Sequence, residues 1–165
     1  MSNIKLSLKS FEYIELPSTR FIGIDALRTG ECYSMLLERK SEFMPALDSS
    51  KAAFPYECAI KHHDFKEADN PMHYIVGKFV EANTFVPTGY DYIDFPPMKA
   101  AYATFDGKFD DVGEVVMPIY EFTRNKILEE GVSIPYPEAY WSAEVYLKHP
   151  DADGGYELGY LFSVK

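Results

Sequence analysis

An acidic residue set among aromatic ones is the part of this sequence best suited to chemistry. It lies in Trp141-Ser-Ala-Glu-Val-Tyr-Leu147, a strand-like run with Glu144 at its centre. A carboxylate is expensive to take out of water. A central-strand Glu has a bland reading, in which it points to solvent and does nothing; enclosed carboxylates are the minority. Register sharpens the choice. If a hairpin loop is centred near Ala152, position 148 faces 156, 146 faces 158 and 144 faces 160. Glu144 then lies across from Tyr160, with Ser142 and Phe162 on one side and Tyr146 and Leu158 on the other. The opposite face (Ala143, Val145, Leu147, Gly159, Leu161) is apolar too, so neither face is plainly solvent. An aromatic-lined carboxylate attracts organic cations and rejects anions. A positive charge over a ring gains about 0.5–2 kcal/mol, and a carboxylate in low dielectric adds an attraction that water screens poorly. Few directional contacts are needed, so such a site tolerates many ligand shapes.

Other constellations carry less. His62 and His63 are adjacent on a strand and point to opposite faces, so they cannot chelate one metal. His73 and His149 have no acidic or Cys neighbours at ligand spacing, and no metal is expected. Cys32 and Cys58 form neither a CxxC pair nor a zinc spacing and are read as free thiols in a reducing compartment. There is no nucleophile elbow, no dinucleotide fingerprint and no P-loop, and no cofactor is expected. Asp151-Ala-Asp-Gly-Gly reads as a solvated turn, residues 106–111 as an acidic loop and residues 64–69 as a charged hairpin.

Positioning Glu144 requires a sheet and something to cover it. Residues 4–28 read as extended, bent at Pro17. Gly30 and Glu31 open a helix predicted to run to about Leu47, with Tyr33, Leu36, Leu37, Met44 and Leu47 at helical spacing and Phe43 widening the stripe. Strands are predicted at 56–62 and 72–81, joined by a polar loop at 66–71. The prolines and glycine between Pro87 and Met98 suit an irregular crossover. The pattern then returns: a strand at 100–105, a helix at 112–129 with Pro118 an awkward guest and Gly131 as its stop, and strands at 140–148 and 156–164. The order is β-α-β-β, linker, β-α-β-β. That predicts an α+β fold in which duplicated β-α-β-β units (about 1–85 and 97–165, linker about 86–96) form one antiparallel sheet. Both helices would lie on one face, with a ligand groove between them.

Composition narrows the classes. One domain of 165 residues buries roughly 70% of its unfolded surface and needs no disulfide or metal staple. Asp plus Glu outnumber Lys plus Arg by 26 to 16, giving a net charge of -10, which argues against nucleic acid as a partner. The polar-apolar alternation of the N-terminus lacks the apolar stretch of a signal peptide, and no run approaches the ~20 apolar residues of a membrane span. A soluble cytoplasmic location is the expectation.

The sequence resembles the GyrI-like family, the small-molecule-binding domain shared by the bacterial DNA gyrase inhibitor protein and the effector domains of multidrug-sensing transcription factors. The resemblance is strongest from Pro96-Pro-Met-Lys-Ala-Ala-Tyr-Ala103 to Glu144-Val-Tyr-Leu147 and the last strand, with Ile14-Glu-Leu-Pro and Phe21-Ile-Gly-Ile24 at the family's start. It implies a duplicated fold in which a groove Glu, here Glu144, pairs with cationic lipophilic drugs. It also implies that a pocket Tyr on the last strand matches Tyr160 and a helix aromatic matches Tyr120. Trp141, Tyr140 and Tyr146 are further candidates, of which only one strand parity can face a cavity; Tyr33 and Phe43 are first-half candidates that core packing explains better. Unlike the transcription-factor members, the chain is expected to lack DNA-binding helices.

Three functions follow. The leading one is a sequestering or sensing module for lipophilic aromatic cations such as drugs and dyes. A second is hydrolysis of reactive electrophiles with Glu144 as general base and Tyr160 as hydrogen-bond donor; without a second acid or a nucleophile it ranks lower. The third is a protein interaction of the gyrase-inhibitor kind, which a shared fold cannot carry over. A homodimer is left open.

Overall fold

A computed structural model describes residues 5–63, 71–108, 113–135, 140–148 and 155–165. The predicted hairpin loops at 66–71 and 149–155 fall almost wholly outside these residues, as do the acidic turn at 151–155 and His149. Among the described residues the elements are β1 (Lys5–Leu16), β2 (Thr19–Asp25), α1 (Ala26–Thr29), α2 (Tyr33–Glu38), α3 (Lys40–Phe43), a 3-10 turn (Met44–Leu47), β3 (Glu57–His63), β4 (Met72–Glu81), β5 (Asp91–Phe95), β6 (Met98–Lys108), α4 (Gly113–Glu129), β7 (Trp141–Lys148) and β8 (Gly155–Val164). The fold class is α+β with antiparallel sheet, as the order of elements predicts.

The chain divides into two compact units. One comprises residues 1–14 and 99–165, the other residues 15–98. In the first the strand order is β1-β6-β8-β7, in the second β3-β4-β2-β5. Each unit thus takes its outermost strand from beyond the β-α-β-β run: β1 joins β6, and β5 joins β2.

Four local expectations need correction. The predicted helix from Gly30 to Leu47 is three short pieces. Arg39 leaves helical geometry (φ −99°, ψ 11°) while its guanidinium binds Glu31 at 2.7 Å. Pro45 then stands at the start of the 3-10 turn, where it has no N–H to return to the preceding turn. Residues 26–29, read as extended, form the one-turn helix α1, because the Asp25 carboxylate accepts the Leu27 N–H at 3.0 Å and Gly30 closes it at φ +73°. Residues 91–95, read as irregular linker, form β5. The ion pair from Arg20 of β2 to Asp94 ties it to β2, and that from Arg28 of α1 to Asp91 ties it to α1, each 2.7 Å, contacts that local propensity does not announce. Residues 106–108 of the expected acidic loop belong to β6, and residues 109–111 lie outside the described residues.

In the 15–98 unit Gly23 and Gly77 face each other across β2 and β4. A Cβ on Gly77 would stand 1.9 Å from the Ile22 carbonyl oxygen, so only glycine allows these backbones to approach as they do. In the other unit α4 keeps its predicted span despite Pro118. It ends in a Schellman motif: the Gly131 N–H (φ +74°) bonds the Leu128 carbonyl at 3.0 Å and the Val132 N–H bonds that of Ile127 at 3.2 Å. Ile119 and Ile127 of α4 enter one core with Ala101, Ala103 and Phe105 of β6 and Tyr160, Phe162 and Val164 of β8. These sheet residues alternate along their strands, so they define the face that α4 covers. Glu144 is on that face.

Candidate functional site

β7 and β8 pair as the hairpin reading predicts over its centre: Ser142 opposes Phe162, Glu144 opposes Tyr160 and Tyr146 opposes Leu158. Beyond Tyr146 the register shifts, and Lys148 opposes Glu157 rather than residue 156. The extra residue is a bulge confined to the loop end, so it leaves the parity of 142, 144 and 146 intact. On the other side of β8, Ala103 of β6 stands beside Tyr160 and leaves room for its ring.

Glu144 is 1% exposed. One of its carboxylate oxygens, Oε2, accepts the Tyr146 hydroxyl at 3.3 Å, a long bond near the outer limit of useful geometry. Tyr160 is fully buried, and its hydroxyl donates to Ser142 Oγ at 2.8 Å. Burial pushes the ionisation of this phenol far above its ordinary range; the Ser142 contact opposes the shift, and the negative charge of Glu144 adds to it. Tyr160 is therefore a neutral hydrogen-bond donor at any physiological pH.

α4 brings Tyr120 over the same face. Its ring lies 5.9 Å from that of Tyr160, edge-on at 78°, and 5.4 Å from that of Phe162. Its hydroxyl meets the Tyr140 hydroxyl at 2.7 Å, and the Tyr140 ring stands 5.6 Å from Phe162. Thus Glu144, Tyr146, Tyr160 and Tyr120 share one face, joined by Tyr140, Ser142 and Phe162. The last two flank Glu144 in the sequence reading without a role. Their common parity was the available signal, but which hydroxyl meets which depends on how α4 lies across the sheet.

Trp141 is not brought to this group. Strand alternation sets its side chain on the other face of β7, where it is buried, while its backbone N–H and carbonyl both bond the Ser163 hydroxyl (2.9 and 3.0 Å). Tyr33 and Phe43 belong to the 15–98 unit. There the Tyr33 ring packs edge-on to Tyr74 at 5.0 Å. Phe43 is buried beneath the Arg39 guanidinium, which lies 5.4 Å above its ring. His73, without an acidic neighbour in sequence, has one in space: its Nδ1 lies 2.6 Å from Asp25 Oδ2. Among the described residues no three His, Cys, Asp or Glu side chains are grouped to hold a metal ion, and no helix is long and apolar enough to cross a membrane.

The model of the GyrI-like small molecule binding domain matches residues 9–154 of the chain. No curated protein matches it in sequence. Solved structures share its fold. SAV2435 bound to tetraphenylphosphonium superposes with a TM-score of 0.67 at 16% identity, covering 95% of this chain and 94% of that one. A Staphylococcus aureus MU50 protein gives 0.62 at 16% identity, covering 94% and 98%. A Vibrio cholerae integron cassette protein gives 0.59 at 12% identity, covering 98% and 99%.

Proposed function

The chain belongs to the GyrI-like small molecule binding domain family, and from that premise we propose that its ligands are lipophilic aromatic cations whose charge is met by Glu144. The carrying observation is the burial of that carboxylate, 1% exposed among phenol and phenyl rings. Desolvating a carboxylate costs several kcal/mol, and a cation bound beside it offsets that cost. The rings of Tyr120, Tyr146 and Tyr160 supply apolar area and cation–π attraction, about 0.5–2 kcal/mol per well-placed ring. Tetraphenylphosphonium, the molecule bound in the structurally similar SAV2435, has the required chemistry: one delocalised positive charge inside aryl groups. The protein would then sequester or sense such compounds.

Charge, not shape, is the quantity to test. Tetraphenylphosphonium and tetraphenylborate have nearly the same size and opposite charge. In a thermal-shift titration the phosphonium should raise Tm and the borate should not, because a ligand stabilises only the state it binds. Glu144→Gln should weaken phosphonium binding by at least about tenfold, equivalent to about 1.4 kcal/mol. Equal shifts from both ions, or unchanged affinity in the variant, would overturn the reading.

A further inference from the structure

The side of α4 that turns away from the sheet carries a pattern of its own. Val115, Ile119, Thr123 and Ile127 are the fully buried positions of this helix. Glu114, Met117, Glu121, Arg124 and Leu128 are all exposed. At 3.6 residues per turn they are centred roughly 160° around the axis from the buried stripe. Their spacing alternates three and four residues, which lays them in one seam along the helix. A helix that only covers a core has a polar outer face. Here Met117 is 55% and Leu128 46% exposed. Between them Glu121 and Arg124 stand one turn apart, and among the described residues neither joins an ion pair within the chain.

Two copies of this seam complement each other in one arrangement. Reverse one copy about a two-fold axis midway between Phe122 and Thr123. Met117 then faces Leu128 of the second copy, and Glu121 faces its Arg124. Each pair occurs twice, with apolar layers at the two ends and opposite charges in the two layers between. Helices crossing at about 20° interdigitate in such layers. A parallel pairing would set Glu121 against Glu121 and Arg124 against Arg124, so charge selects the antiparallel one.

We propose that the outer face of α4 docks a second copy of this chain, antiparallel, through Met117, Glu121, Arg124 and Leu128. The contact is isologous: the same four residues supply both halves, and the assembly closes at two. One helix from each copy buries less area than a standard stable interface, so the dimer is a weak one. Tyr120 meets Tyr160 on the other side of α4, so this contact stands apart from the cation reading of Glu144.

Sedimentation velocity on the intact chain, from micromolar to millimolar concentration, should show monomer giving way to dimer. Glu121→Arg sets like charges against each other in both inner layers and should weaken the dimer at least about tenfold. Arg124→Glu should do the same. Both positions are exposed, so the variants keep the fold. Mixed together, the two single variants should form a heterodimer, because opposite charges then meet in both inner layers. The variant combining both changes should return to within about threefold of the parent. A chain that stays monomeric at millimolar concentration would overturn the proposal. So would a dimer indifferent to Glu121→Arg, which another face must hold, and so would single variants that stay apart when mixed.

Discussion

Two strand triplets, one in each unit, occupy matching positions and differ in chemistry. Ile24 and Ala103 each fall seven residues after a proline, Pro17 and Pro96, on the strands β2 and β6. Ile24 stands beside Val76, which stands beside Ala59; Ala103 stands beside Tyr160, which stands beside Glu144. All six residues are buried. One unit fills the place with aliphatic groups, the other with an acid and a phenol. The backbone arrangement therefore needs no carboxylate, since the aliphatic triplet builds the same pairing. Glu144 is an expense the fold does not require, and residues of that kind concentrate where a protein binds or reacts.

The largest effect should come from making the aliphatic triplet acidic. Ala59→Glu places a carboxylate at a fully buried apolar position and should cost about 3 kcal/mol or more. For a domain of this size that lowers Tm by roughly 6–12 °C in calorimetry. A variant as stable as the parent would mean that this backbone arrangement accepts a buried carboxylate in either unit, and that Glu144 is no special expense.

Glu144→Gln should move stability and binding in opposite directions. A neutral amide is cheaper to bury, so the ligand-free protein gains about 1 kcal/mol, while affinity for tetraphenylphosphonium falls at least about tenfold.

Smaller changes sharpen the contrast. Tyr160→Phe removes the bond to Ser142 and should cost about 1 kcal/mol in urea denaturation. Tyr146→Phe removes a long bond to Glu144 from a half-buried phenol, and its stability should stay within about 0.5 kcal/mol of the parent. A larger loss for Tyr146→Phe than for Tyr160→Phe would make Tyr146 a structural support rather than a ligand contact.

Much of the site was legible in the chain. Period-two alternation along 142–146 and 158–162 is a local property, so a hairpin register near Ala152 sufficed to set Glu144 against Tyr160. The helix from Gly113 was equally legible, because its apolar stripe and its stop at Gly131 lie within one segment. The broken helix after Gly30 and the strand β5 were not. Their outcomes depend on Arg39, Arg20 and Arg28 finding carboxylates that composition cannot point to.

From sequence alone came the residue types, their parity and the acid–phenol pair, because these rest on covalent order and the pleat of a strand. Tertiary structure alone decided the exclusion of Glu144 from water and the meeting of Tyr120 with Tyr140 across α4. Burial and hydroxyl pairing arise when distant elements pack, and their distances are set by the whole core rather than by any neighbour in the chain.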